Sequence, residues 1–382
     1  MCSCRVCIFL LVRLRHLVWL SVLSLVLSCG GLERETTVVG DPIHMQHSSL
    51  LTMVECDGYT VVNVKNPWGI GLLQRYILVP RDSVLPNGLP QGRIVRTPLE
   101  RSVLFSGVHV SLFEELGSLA SIYGVCDARY IYNQDVKDAI AVGRVVDCGS
   151  SLNVNSEKIH EVSPDAILVL PFENGGYGKL ENMSYPLVEC ADYMEDSPLG
   201  CAEWMRFYGR LLGKGLESDS IFATVCNEYE KLRSLALEAK ACPRLMCELK
   251  SNSAWYVPGG KSTMGRLYGD AGADYIFSSY NVSGSVPLSY ETVLDMAADA
   301  DIWLLKYNSP EDMTIASLLK DFPGYALFEP LKSGNIYACN TSRNDIFESV
   351  SFHPEELLKE LIALFHPELF ADYETKYYKK MR

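Results

Sequence analysis

Positive charge is scarce in this sequence: 34 Lys and Arg stand against 47 Asp and Glu in 382 residues, a formal charge of −13. With no basic patch expected, the electrostatic footprint of a nucleic-acid binder is missing, and an anionic membrane surface would repel the chain. Motifs of covalent catalysis and nucleotide binding are missing too. There is no G-x-S-x-G elbow, and the glycine-rich pieces NGGYG (174–178) and PGGKST (258–263) have neither dinucleotide nor P-loop spacing. Beyond the first residues no CxxC pair or Cys/His zinc spacing occurs. Of the thirteen cysteines, Cys2, Cys4 and Cys7 fall in the leader and Cys29 at its end, so an odd number remain. Several of these stand inside apolar runs such as YGVCD and LVEC and read as free buried thiols.

What is present is enough apolar material for two domains, 48% hydrophobic with 21% charged. Arg13, Arg15 and His16 precede the apolar run 17–27, and the small pair Ser28-Cys29 follows, the order of an export signal over 1–28. The two arginines interrupt the apolar character, which argues against a full membrane span. Cys29 resembles the lipidated cysteine of a bacterial lipobox, with Val26-Leu27-Ser28 before it and a polar tether over 29–41 after it.

A β appendage is expected over 42–98. Strands flank Asp57-Gly58, a strong two-residue hairpin signal, and a further strand, LQRYILV, leads into the Pro/Gly-rich connection LPNGLPQG. This antiparallel unit would cover an edge of the following sheet. From 99 onward strands and helices alternate, the sign of parallel βα units. Strands are expected near 102–106, 122–126, 166–170 and 187–190, with helices at 109–116, 134–142, 156–162, 178–183 and 199–212. A capped amphipathic helix over 218–240, started by Ser218 and stopped before Pro243, spans roughly 35 Å at about 1.5 Å per residue. The alternation then resumes. Strands fall near 244–249, 274–277, 302–305, 326–328 and 335–338, and helices at 262–269, 289–298, 313–319 and 354–365. The fold class is α/β: an N-terminal lobe (99–217) and a C-terminal lobe (241–382), both Rossmann-like with parallel sheets, joined by one long backbone helix, with the small antiparallel appendage in front.

NSEKIHEVSPDAILVL in the first lobe matches LSYETVLDMAADADIWLL in the second. Together with PLVECADYMEDSPLGCAEWMRFYGRLLGKG and AWYVPGGKSTMGRLYGDAGADYIF, these segments resemble the class III substrate-binding proteins of ABC importers, the cobalamin, ferric-siderophore and haem-binding type. The resemblance runs from about Arg101 to Pro367. It implies a ligand held between two lobes that move little, no cofactor of the protein's own, and no catalysis. It also implies a permease and its ATPase as partners, and a monomer in the periplasm, lipid-anchored to a bacterial membrane. One glutamate on each lobe docks on permease arginines in that family; the matching motifs put these at Glu157 and Glu291, which otherwise read as first-turn helix stabilisers.

In parallel sheets ligand lies beyond the carboxyl ends of the strands, so the loops there should line the cleft. These loops supply Ser106, His109, Ser150, Phe172, Asn174 and Tyr177 from the first lobe. The second supplies Trp255, Tyr256, Lys261, Tyr307 and Arg343. Aromatic faces with a few cations suit a large planar or anionic chelate: ferric siderophore, corrinoid or haem. Two other classes compete. An exported enzyme could use Ser106 and His109, although no acid completes a triad. A direct metal-ion receptor would need converging ligands, whereas the histidines at 44, 47, 109, 160, 353 and 366 are scattered.

Overall fold

The computed structural model of the chain describes residues 38–382, so the export signal and Cys29 lie outside the described residues. Its first element is a five-stranded sheet of β1 (Asp41–Ile43), β2 (Leu51–Cys56), β3 (Tyr59–Lys65), β4 (Leu72–Pro80) and β5 (Arg93–Thr97), in that spatial order. Asp57-Gly58 makes the β2–β3 turn as expected, and β1 to β4 are antiparallel. The last pair departs from expectation: β5 runs parallel to β4, Tyr76 opposite Arg93, because the 81–92 connection carries the chain back to the start of β4 before it pairs.

In the first lobe β6 (Ser102–Leu104), β7 (Ile122–Val125), β8 (Val146–Asp147), β11 (Ala166–Val169) and β12 (Leu187–Glu189) form an all-parallel sheet in the order β12-β11-β6-β7-β8. A small hairpin, β9 (Gly149–Ser150) and β10 (Asn153–Val154), stands at its end. The strands read as near-continuous apolar runs because both faces are covered, here by α1 (Val108–Glu115), α2 (Gln134–Ala141) and α3 (Ser156–Val162) among others. Asn133 and Asn155 cap the last two. The segment expected as a helix at 178–183 is a single 3₁₀ stretch, Gly178–Asn182.

The appendage seals the open edge at β12. Glu189 donates its N–H to Tyr76 Oη at 2.7 Å and Arg93 Nη1 reaches the Leu187 carbonyl at 3.0 Å, which satisfies backbone groups that an edge strand leaves free. A hook before β2 ties the appendage further in: the fully buried Glu203 accepts N–H bonds from Gln46, His47 and Ser48, and Glu195 accepts from Ser49, Leu50 and the indole of Trp204.

The expected 199–212 helix is α4 (Pro198–Glu203) and α5 (Met205–Leu211), interrupted at Trp204. The long helix follows as α6 (Gly215–Ala236), earlier at both ends than the capping pattern suggests. Lys214, not Ser218, is at its N-cap. Ser218 is buried inside the helix and pressed against Gly209, where even a methyl group would lie 2.0 Å from the Ser218 hydroxyl. That serine serves packing between α5 and α6.

In the second lobe β13 (Arg244–Cys247), β16 (Asp274–Tyr275), β18 (Ile302–Tyr307), β19 (Ile336–Asn340) and β20 (Lys379–Lys380) are ordered β16-β13-β18-β19-β20, parallel except β20. A three-stranded antiparallel sheet of β14 (Lys250–Ser251), β15 (Ala254–Pro258) and β17 (Ser285–Leu288) was not foreseen. The helices are α7 (Thr263–Asp270), α8 (Tyr290–Ala297), α9 (Ile315–Asp321), α10 (Glu329–Ser333), α11 (Ile346–Val350) and α12 (Pro354–Phe365). The expected strand at 326–328 is instead part of the 3₁₀ stretch Pro323–Leu327. Its Tyr325, with Phe328 just beyond, closes an aromatic core with Trp255 and Trp303, ring centroids 5.4–5.8 Å apart.

Candidate binding cleft

The carboxyl end of β6 leads through Ser106 and Gly107 into α1, and α11 of the second lobe lies directly over this turn. A Cβ at Gly107 would sit 2.7 Å from Glu348 Oε1, so the glycine lets this carboxylate approach closely. Glu348 accepts the Tyr132 N–H at 2.8 Å, its carbonyl accepts Ser111 Oγ at 2.6 Å, and Tyr132 Oη donates to the Thr341 carbonyl. Burial pushes the Glu348 carboxyl up to about 7. Behind this contact His353 bridges Glu115 of α1 and Glu355 of α12, 2.9 Å to each. At the opposite rim Thr263 Oγ1 donates to the Glu195 carbonyl at 3.1 Å and Arg266 pairs with Asp196 at 3.1 Å. The lobes thus touch on both sides of a central gap.

That gap is a cavity of about 520 Å³. The first lobe contributes Ser106, Val108, His109, Leu170, Phe172, Asp192 and Tyr193, with Pro198 and Cys201 of α4 as a floor. The second contributes Thr263, Met264 and Leu267 from α7, and Phe347, Val350, Ser351, Pro354 and Leu357 from α11 and α12. Most of the wall is apolar. A second chamber of about 330 Å³, lined by Phe105, Leu152, Val154, Tyr177 and neighbours, shares Leu170 and Phe172 with the first, so these two side chains border both.

One polar cluster faces this apolar space. His109 is 1% exposed, and its ring nitrogens have no hydrogen-bond partner; Asp192 Oδ1 lies 3.6 Å from Nε2 and accepts a 2.8 Å bond from Tyr208 Oη. The Tyr208 ring meets the imidazole edge-on at 4.9 Å. Burial works against the imidazolium, and Cys190 and Asp192 outweigh it, pushing His109 up to about 10. The imidazole and the carboxylate thus form a buried polar pair beside an otherwise apolar wall.

Of the residues expected to line the cleft, Ser106, His109 and Phe172 face the main cavity and Phe172 and Tyr177 the second chamber. Ser150 is exposed on the β9–β10 hairpin, one residue short of the chamber wall, and Asn174 is exposed in left-handed conformation with φ 55°. Trp255 is a correction. It is fully buried, donating from Nε1 to the Cys247 carbonyl at 3.0 Å, because it points into the core from β15 while Tyr256 alternates outward and lines neither cavity. Lys261 is exposed two residues before the α7 positions that do reach the cleft. Tyr307 and Arg343 line a different cavity on the second lobe. The strand-end rule located the first-lobe wall, but the second-lobe wall is made by the start of α7 and by α11–α12. Asp192, Met264, Leu267 and Phe347 were missed. Met264 and Leu267, three apart and directly after PGGKST, were the only sequence signal for them.

Glu157 and Glu291 are exposed in the first turns of α3 and α8. Hydrogen bonds from its own backbone N–H and from Ser289 hold the Glu291 carboxyl below its ordinary range. Neither glutamate forms an ion pair among the described residues, which also include no group of three or more His, Cys, Asp or Glu suited to a metal ion. No described helix is long and apolar enough to cross a membrane.

Two α/β lobes, one joining helix and a cleft between them define a two-lobed solute-binding architecture. The chain belongs to the periplasmic binding protein family, whose model matches residues 106–342. An uncharacterized lipoprotein of Methanocaldococcus jannaschii is 27% identical over 323 residues, 80% of this chain and 76% of the relative. Among solved structures, a periplasmic heme-binding protein from Pseudomonas aeruginosa superposes with a TM-score of 0.59 at 16% identity, covering 74% of this chain and 98% of that one. A protein of an ABC-type Fe3+-hydroxamate transport system from Saccharomonospora viridis gives 0.55 at 17% identity, covering 70% and 93%. At these identities the structures are alike in fold.

Proposed function

We propose that this protein is the lipid-anchored, extracytoplasmic receptor of an ABC importer, and that it captures a metal chelate in the interlobe cleft and delivers it to a permease. The observation that carries the reading is the apolar cavity of about 520 Å³ between the lobes with the buried His109–Asp192 pair beside it. A hydrophobic chelate suits such a wall, and the His109–Asp192 pair is the polar element beside it. Ferric siderophore, corrinoid and haem are the three candidate cargoes. The family and the names of the relatives support binding rather than catalysis and a lipoprotein anchor at Cys29. Glu157 and Glu291 serve as docking points for permease arginines; both are exposed, one on each lobe.

The test is an absorbance titration of the purified protein with hemin, cyanocobalamin and a ferric hydroxamate siderophore. Saturable binding of one of them at micromolar concentration is expected. No saturable response to any of the three overturns the reading.

A further inference from the structure

The closing segment Lys376–Arg382, KYYKKMR, places four cations in seven residues of a protein that is otherwise strongly acidic. The fold holds this segment in place. Lys379 and Lys380 form β20 against β19, and the buried carboxylate of Glu360 accepts the backbone N–H groups of Lys376, Tyr377 and Tyr378 at 2.6–3.0 Å. Pinned in this way, the segment meets Arg343 from the loop after β19. Lys376, Lys379, Lys380, Arg382 and Arg343 line a cavity of about 410 Å³ that shares no residue with the interlobe cleft.

The charges there are unbalanced. Arg343 has Asp312 at 3.5 Å, and Lys376 has Glu356 at 3.6 Å and Asp345 at 3.8 Å. Lys379 donates to the Thr375 carbonyl and Lys380 lies 5.9 Å from the Tyr337 ring centroid, so neither meets a carboxylate. No salt bridge joins Lys379, Lys380 or Arg382 to an acid among the described residues. Converging cations repel one another unless an anion sits between them. Guanidinium forks together with mobile ammonium groups suit the several oxygens of a phosphoryl group, which carries about −1.5 to −2 charge near neutral pH as a monoester and about −1 as the diester of a lipid headgroup.

We infer that this second-lobe cavity is an anion site for a phosphoryl-bearing ligand, separate from the cleft. The phosphoryl group is either free in solution or the headgroup of an anionic lipid. The inference is independent of what the cleft carries. It also revises the expectation from composition that no basic patch exists.

Calorimetric titration of the full chain in neutral detergent, with inorganic pyrophosphate in one arm and dihexanoyl-phosphatidylglycerol below its micellar concentration in the other, tests this. Saturable binding that weakens with added salt is expected in at least one arm, and the responding arm identifies the source. In a Lys379→Gln/Lys380→Gln/Arg382→Gln variant the affinity should fall at least tenfold, and in Arg343→Gln, a change on a different loop, at least threefold. Thermal midpoints should match the parent, since all four side chains are exposed. Absence of binding in both arms at millimolar ligand, or equal affinity in the triple variant, overturns the site and leaves Lys379 and Lys380 as solvated guards of an edge strand.

Discussion

His109 Nε2 lies 3.6 Å from Asp192 Oδ1 beneath the cleft, and the same oxygen accepts the hydroxyl of Tyr208. The carboxylate therefore helps hold a buried imidazole charged where burial alone would neutralise it. In Asp192→Asn the ring loses one of the groups that favour its protonated form, and its titration midpoint should fall from about 10 toward the ordinary range. Ring-proton NMR of His109 checks this. An unchanged midpoint would assign the shift to Cys190 alone.

Trp255 separates a structural role from a ligand-binding one. It is fully buried against Trp303, Tyr325 and Phe328, so Trp255→Ala should cost about 3–5 kcal/mol in denaturant unfolding. Chelate affinity in the folded fraction should be unchanged, because the indole lines neither chamber.

That residue also shows how far the sequence could be read. Alternating strands and helices, the Asp57-Gly58 hairpin and the long amphipathic helix follow from periodicity and turn chemistry, which are local properties. Which neighbour of a Trp-Tyr pair faces inward depends on the pairing of β15 with β14 and β17, a sheet whose strands are too short to announce themselves. Ser218 misled for a similar reason: a serine before an apolar run looks like a cap, and only the approach of Gly209 reveals it as a packing residue. On the first lobe, loops after parallel strands were enough to find Ser106, His109 and Phe172. The second-lobe wall comes from α7, α11 and α12, helices whose cleft-facing residues cannot be told from core residues by spacing alone.

His353 ties the lobes through two carboxylates, Glu115 and Glu355. Burial lowers its affinity for a proton, the two hydrogen-bonded carboxylates raise it more, and the net effect is a rise from 6.5 to about 10. Because the folded value is the higher one, the stabilisation is fully present below about pH 6.5 and is lost as pH rises through about 10. His353→Gln should destabilise the protein by about 1.5–3 kcal/mol at pH 6. The gap between parent and variant should close toward pH 10 in thermal melts.

Glu157 and Glu291 project from the first turns of α3 and α8, one on each lobe. Reversal of both, Glu157→Lys with Glu291→Lys, should abolish uptake in cells that carry the permease while chelate affinity in solution stays within twofold. Loss of solution affinity would show that these residues act on the binding fold rather than on docking.

The central claim is that cargo occupies the apolar gap between the lobes. Met264 stands partly exposed on the α7 wall of that gap, at the edge of the core, so Met264→Trp adds bulk that projects into the space. Calorimetric titration of parent and variant with hemin, cyanocobalamin and a ferric hydroxamate siderophore is the decisive measurement. The account predicts saturable binding of one of the three by the parent and at least a hundredfold weaker binding by the variant, with thermal midpoints alike. Equal affinity in parent and variant would place the ligand elsewhere and contradict the account.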